Sequence, residues 1–253
     1  MSSAIASVLG RILVNGWGVL LLLALWQVWV TAMDFNAIVM PRPLGVLRDL
    51  IAAPEVYWNH ARYTILAATI GLALGMIVGM TLAICAWLSA VLEGLLTPLT
   101  VLFSSVPVVT IIPILARLFG YDISTVLAVV VIISFFPAFV FTTSGLRALP
   151  AGSDDVFTVL GAGRLTRLWR LALPAAIPNV MIGLRIAAGH AILAAMVAEY
   201  LMGTAGLGYL FGETKADFNM ERAFGSTVVA TMVSIGFFLA AIAAERWVRE
   251  RWR

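Results

Sequence analysis

Few side chains in this 253-residue chain are equipped for chemistry, and most of those sit in apolar surroundings. Ser144, in "TTSG", and His190, in "AAGHAILAAM", offer a nucleophile and a base. A serine becomes a useful nucleophile when a histidine within hydrogen-bond reach accepts its proton. Because both lie in apolar runs, such a dyad would make an intramembrane serine protease. Against it, Ser144 falls near one end of its run and His190 near the middle of its own. His190 keeps two readings: a ring hydrogen-bonded in the core, or a group meeting a polar path. Glu199 ends the same run. An ionisable group at that depth is costly unless it faces protein or water, so it either lines a path or marks the interface. The single cysteine, Cys85, admits no intrachain disulfide and no cysteine-based metal site, and fits a small buried apolar residue. Lys215, in "GETKAD", is the one lysine, and no G-x-x-x-x-G-K-[ST] phosphate loop surrounds it. If the protein uses ATP, another chain binds it.

A different kind of site lies in "DVFTVLGAGRLTRLWRLALPAAIPNVMIGLRIA", Asp155 to Ala187. Ser153 is placed to cap a short helix whose first turn carries Asp154 and Asp155, acids at the positive end of the dipole. Gly161 and Gly163 break that helix. A second one starts near Arg164, and Arg164, Arg167 and Arg170 fall within about a third of its circumference. Pro174 and Pro178 then return the chain to lipid-compatible sequence. The expected product is a charged helix–turn–helix over about 150–172, with an ordinary connecting loop as the alternative.

The elements that position these groups follow from composition. The chain is 62% hydrophobic and 11% charged, with a mean hydropathy of +1.03. Soluble domains are about half apolar and a quarter charged. This one must find its solvent in lipid. Six runs, roughly 12–33, 64–88, 95–119, 124–146, 176–200 and 224–244, are long enough to cross about 30 Å of hydrocarbon. The first exceeds a signal-peptide core and is read as a retained span. The fold class is therefore an all-α integral membrane protein with about six transmembrane helices in a single domain, 1–253, without internal repeats.

Within that frame, Gly71, Gly75 and Gly79 lie four apart on one helix face, a stripe that lets helix backbones approach closely. Ser104, Ser105 and Pro107, with Pro113 further on, interrupt the third run. Proline frees backbone carbonyls that need new partners, often beside a cavity. The segment "MPRPLGVLRDLIAAPEVYWNHARYT" reads as a short interfacial helix broken by prolines, with Tyr57, Trp58 and Tyr63 at headgroup depth, and "TAGLGYLFGETKADFNMERAFG" as a Gly-rich hairpin or re-entrant element.

Charge sets the orientation. The pI near 9.4 could suggest nucleic acid, but the arginines are scattered and form no basic stripe. With the N-terminus inside, Arg11, Arg147, Arg164, Arg167, Arg170, Arg185, Arg246, Arg249, Arg251 and Arg253 face the cytoplasm. Arg42, Arg48, Arg62, Arg117, Lys215 and Arg222 face out. That excess places both termini, and the charged loop, in the cytoplasm.

The spacing of Asp155, Gly161 and "LALP" at 171–174 resembles the "EAA" loop of bacterial ABC-importer permeases. In that family an acid and two alanines precede a glycine and then an apolar-x-Leu-Pro element. "LPAAIPNVMIGLRIAAG", "VAEYLMGTAGLGYL" and "SSVPVVTIIPILARLFG" look like its nitrate/sulfonate/taurine-type branch, over about residues 40–246. The resemblance implies the type I ABC importer permease fold, with a core over about 60–246. It implies an inner-membrane protein working as a dimer of two permease copies with two ATPase subunits, which hold ATP and Mg, and an external substrate-binding protein. No cofactor and no metal are expected on this chain, and no nucleic acid. Asp155, Val156, Phe157, Gly161, Gly163, Arg164, Arg167 and Pro174 would form the loop that couples to the ATPase. Ser104, Ser105, Pro107, His190 and Glu199 would be candidates for the pathway. Val156 and Phe157 depart from the family's two alanines, and their bulk alters the fit into a partner's groove.

Two other functions fit the residues less well. A rhomboid-like protease has glycine two residues before its serine, where this chain has Thr142. A passive channel needs no charged cytoplasmic dock.

Overall fold

The computed structural model describes residues 2–105, 107–202 and 205–251, and the side chains among them other than those of 2–16, 99 and 101–106. Among the described residues all regular structure is helical: α1 (Ser2–Ala32), α2 (Pro43–Ala52), α3 (Pro54–Leu88), α4 (Ala90–Ser105), α5 (Val108–Phe119), α6 (Ile123–Arg147), α7 (Ser153–Val159), α8 (Arg164–Arg167), α9 (Leu173–Met202), α10 (Leu207–Ala216) and α11 (Met220–Arg251). A π turn, Leu168–Ala172, joins α8 to α9.

Four stretches are long and apolar enough to cross a membrane: α3, α6, Arg164–Met202 and α11. Trp17–Ala32 and Val108–Phe119 are shorter apolar helices. Four of the six expected runs are matched by these stretches; the third is two helices, and the first, in α1, falls partly on residues 2–16, whose side chains lie outside those described. At 1.5 Å per residue, α4 and α5 are about 24 and 18 Å long, and neither crosses about 30 Å alone. Pro107 supplies the break, with extended backbone at φ −64° and ψ 108°.

The bundle is built on α3, α6 and α9. Its closest approach follows the glycine stripe. A Cβ added at Gly71 would come within 2.6 Å of the Val130 Cβ, and at Gly75 and Gly79 within 2.6 Å of the Ser134 and Ala138 side chains. Residues 130, 134 and 138 repeat at the same spacing of four, so the α6 face mirrors the α3 face. The stripe therefore packs within this chain. Gly145 and Gly183 do the same for α6 against α9, meeting Ala176 and Asn179, and Pro137 and Phe141. Without interhelical hydrophobic drive in lipid, such backbone proximity is what holds spans together.

Two expectations are corrected. Pro54 starts a helix that continues to Leu88, so Tyr57, Trp58 and Tyr63 sit on α3; only α2 is a separate short helix. Proline is tolerated there because the first helical N–H has no intrahelical partner anyway. The Gly-rich segment after α9 is also largely helical, as α10.

Polar pairs gather at the two ends of the bundle. At one end, Arg222 Nη2 donates to Asp49 Oδ1 at 2.9 Å, and the Tyr57 hydroxyl donates to the same carboxylate, joining α2, α3 and α11. At the other, Arg147 pairs with Glu93, Arg167 Nη1 with Asp154 Oδ1 at 2.8 Å, and Glu245 with both Arg185 and Arg249.

Candidate functional site: the charged loop and the open helical face

The charged loop is anchored on one side and open on the other. Leu168 and Ala172 of the π turn are buried in a cluster with Leu146 and Ala176. Pro174 explains the turn: it has no N–H for the Arg170 carbonyl, and its ring clashes with that carbonyl in a regular helix. A wider turn just before it relieves the clash. Arg164 Nη1 reaches the Leu88 carbonyl at 3.4 Å, and Arg167 ties α8 to Asp154 of α7. Because the π turn intervenes, Arg170 leaves the regular helical period that was expected to align the three arginines.

Ser153 does not cap α7. The cap position is Gly152, with φ 75°, and Ser153 is the first helical residue, its hydroxyl donating to the Pro150 carbonyl at 2.6 Å. Gly161 does reverse the chain, at φ 67°, whereas Gly163 is extended at φ −68°. The two glycines therefore have different work. Between the anchors the loop exposes large apolar side chains: Val159 is 88% exposed and Leu160 74%, with Val156, Leu165 and Trp169 open as well. Asp154 and Asp155 are exposed beside them, while Phe157 is half-buried. Several large apolar side chains are thus exposed on one short charged element, a feature that a partner surface could cover.

A second feature is an open face where α5 meets α9. His190, Leu193 and Val197 of α9 and Val108, Val109 and Ile112 of α5 line a shallow cleft of about 150 Å³. His190 is exposed there, with Nδ1 2.8 Å from the Ile186 carbonyl of its own helix. The break at Pro107 and His190 are thus brought to one face. The side chains of Ser104 and Ser105 lie outside the described residues.

Glu199 belongs to neither feature. It is fully buried at 0% exposure, against two expectations that put it at an interface or on a path. Thr64 Oγ1 donates to its Oε2 at 2.9 Å, and the Gly208 amide donates to the same oxygen at 3.0 Å. The Leu207 amide in turn donates to Thr64 Oγ1 at 2.9 Å. Gly206, at φ 96°, leaves the space the carboxyl occupies, since a Cβ there would strike it. Gly208 presses against the Met196 carbonyl. The carboxylate pins the start of α10 onto α9 and α3. Sequence reasoning missed this because Thr64 is 135 positions away; the glycines at 206 and 208 were the local sign. It missed the Asp49–Arg222 and Arg185–Glu245 pairs for the same reason, their members being 173 and 60 positions apart. Ser144 and His190 sit on α6 and α9 and form no dyad: the ring nitrogen of His190 contacts its own helix.

A family model described as "Binding-protein-dependent transport system inner membrane component" matches residues 71–253. A "Probable ABC transporter permease protein" of Haemophilus influenzae is 30% identical over 219 residues, 87% of this chain and 89% of that protein. A "Formylaminopyrimidine transport permease protein ThiX" of Halalkalibacterium halodurans is 29% identical, covering 87% of this chain and 88% of its own. A "Taurine transport system permease protein TauC" of Escherichia coli is 26% identical, covering 88% and 80%. Relatives named for aliphatic sulfonate and bicarbonate transport match as well. Among solved structures, one titled "Crystal structure of an amino acid ABC transporter with histidines" superposes with a TM-score of 0.64 at 13% identity, over 80% of this chain and 97% of that one. At that identity it bears on the fold alone. An all-helical bundle with several spans, a family match over residues 71–253 and relatives similar along most of their length place this chain in the binding-protein-dependent transport family, as a multi-pass ABC importer permease.

Proposed function

We propose that this permease forms a translocation path for a small solute and is driven through the loop over 150–172. The loop seats on a separate ABC ATPase, which binds ATP and Mg. Val156, Val159, Leu160 and Leu165 enter the partner's groove, and Asp155 and Arg164 border it. The carrying observation is the apolar surface of α7 and its following turn, exposed on an element otherwise tied down by Arg164, Arg167 and Leu168. Isolated apolar side chains on a surface mean little, but a cluster on one short helix is stabilised by a partner. Bulky residues in place of the family's two alanines make the fit particular to one ATPase.

Two such permeases, with two ATPases beneath and an external binding protein delivering solute, account for the open face beside Pro107 and His190. That face lies on the path between the copies. Closure of the ATPases moves the loops and rocks the spans between two states, a rigid-body switch. Both termini lie in the cytoplasm of a bacterial inner membrane. The solute is of the class named in the relatives: a small sulfonate, taurine, bicarbonate or a heterocyclic vitamin precursor.

The decisive experiment is co-purification with the cognate ATPase. Leu160→Asp is expected to abolish co-purification and transport while the protein stays in the membrane. Retained co-purification and transport would reject the docking assignment. Loss of transport with co-purification intact would leave the loop a transmission element and reject the seat itself.

A further inference from the structure

Where α9 and α11 part, at the end of the bundle bearing the charged loop, they leave a cleft of about 210 Å³. Its walls are Pro174, Ile177, Pro178, Met181 and Val248, and its rim is Glu245 and Arg249. Packing fixes its depth. Gly145, two residues from the end of α6, meets Ala176 and Asn179 of α9. On the other side Ser234 Oγ donates to the Gly189 carbonyl at 3.1 Å, setting the register of α11 against α9. From Ser234 to Glu245 is about 16 Å along α11, and the same distance back along α9 from Gly189 ends near Pro178. The cleft therefore lies level with the last turn of α6, at the membrane surface. At the same level of α11, on a face away from the cleft, Trp247 is exposed with the Arg251 guanidinium 4.4 Å from its ring centroid, an arrangement suited to headgroup depth.

The charges at the rim do not cancel. Glu245 accepts from Arg185 Nη1 at 3.2 Å and from Arg249 Nη2 at 2.8 Å. One carboxylate faces two guanidiniums, which leaves a net positive charge. Each guanidinium has five N–H donors in a planar fork, and the Arg249 side chain is 60% exposed. We propose that this cleft binds an anionic phospholipid, its phosphate on Arg249 with Arg185 behind it, and one acyl chain along Ile177, Met181 and Val248. Apolar walls with a cationic rim match both halves of such a molecule, and basic pockets between spanning helices at this depth hold anionic headgroups.

The test is native mass spectrometry of the full-length protein in detergent, titrated with phosphatidylglycerol or phosphatidylcholine of matched chains. Wild type is expected to retain phosphatidylglycerol preferentially. Arg249→Gln should weaken that retention about fivefold, the effect of one arginine at a membrane surface. Arg251→Gln removes the same charge two residues away, outside the cleft, and should change it less than about twofold. Ile177→Trp fills the cleft without altering charge and should also weaken retention. Equal retention of the two lipids overturns the proposal. So does equal loss in Arg249→Gln and Arg251→Gln, which would mean general surface charge, or full retention in Ile177→Trp. Displacement of phosphatidylglycerol by inorganic phosphate at millimolar concentration would show a free-phosphate site and overturn it as well.

Discussion

Glu199 accepts two hydrogen bonds from groups that have no water to turn to, the Thr64 hydroxyl and the Gly208 amide. Leaving a buried donor without an acceptor costs about 1–3 kcal/mol, so shape and acceptor capacity matter more here than charge. Glu199→Gln keeps a carbonyl oxygen at the same reach and should melt within a few degrees of wild type in detergent. Glu199→Ala strands both donors and empties the space Gly206 leaves for the carboxyl, and should melt far lower or fail to accumulate. A Gln variant as damaged as the Ala variant would mean the negative charge itself is required. Asp49 gives a pH prediction outside the spans. Burial alone would raise its pKa, but the hydrogen bonds from Arg222 and Tyr57 and the Arg222 charge overcome it and hold the carboxyl below its ordinary value. A depressed folded pKa stabilises above the unfolded value of about 3.9 and loses that stabilisation as pH falls through the folded value. Asp49→Asn should therefore be less stable than wild type at pH 6, with the gap closing only as pH falls below the unfolded value of about 3.9 and through the lower folded one. Melting curves across that range check it, and a constant gap would rule the linkage out.

At the scale of the element, Gly161 and Gly163 look alike in sequence and differ in the fold. A Cβ at either would meet nothing within 4 Å, so only backbone conformation distinguishes them. Gly161 has φ 67°, where a β-branched residue is strained by about 1–3 kcal/mol and asparagine by much less. Gly161→Val should cut transport and ATPase stimulation strongly, Gly161→Asn mildly, and Gly163→Ala hardly at all. Transport assays on the three variants check the ranking, and equal effects at 161 and 163 would break the link to φ. The same contrast shows how far the sequence could be read. The helix break at Pro107 and the turn at Gly161 were legible, because proline and glycine act on their own backbone. The stripe at Gly71, Gly75 and Gly79 was legible as a close contact, but its partner was not, since Val130, Ser134 and Ala138 carry no mark of their own. The length of α3 was hidden by Tyr57, Trp58 and Tyr63, which read as interfacial yet belong to a continuing helix. The exposure of Val159 and Leu160 was invisible, because an apolar side chain looks the same in a core and on a docking face. Gly75→Leu should test the stripe: with the Val131 carbonyl 2.8 Å from an added Cβ, overpacking should cost about 1–3 kcal/mol or more.

For the whole molecule, the polar contacts constrain topology independently of the positive-inside rule. Asp49 with Arg222 joins residues 173 positions apart at one end of the bundle. Glu93 with Arg147, and Arg185 with Glu245, join others at the opposite end. Every one of these pairs unites residues that the arginine distribution assigns to the same side, so the spans alternate as charge alone requires. The contacts fix which ends lie together; the proposal that the loop end is cytoplasmic rests on the excess of arginine there, Arg147 through Arg170 and Arg246 through Arg251. Cysteine labelling separates the two inferences. On a Cys85→Ala background, a membrane-impermeant thiol reagent applied to intact cells should label Asn219→Cys, which is exposed beyond α10, and should reach Thr166→Cys only after permeabilisation. If both are labelled from outside, the bundle ends have been wrongly grouped and the packing itself is at fault. If only Thr166→Cys is labelled, the grouping stands and the orientation is inverted, which would put the apolar loop out of reach of any ATPase.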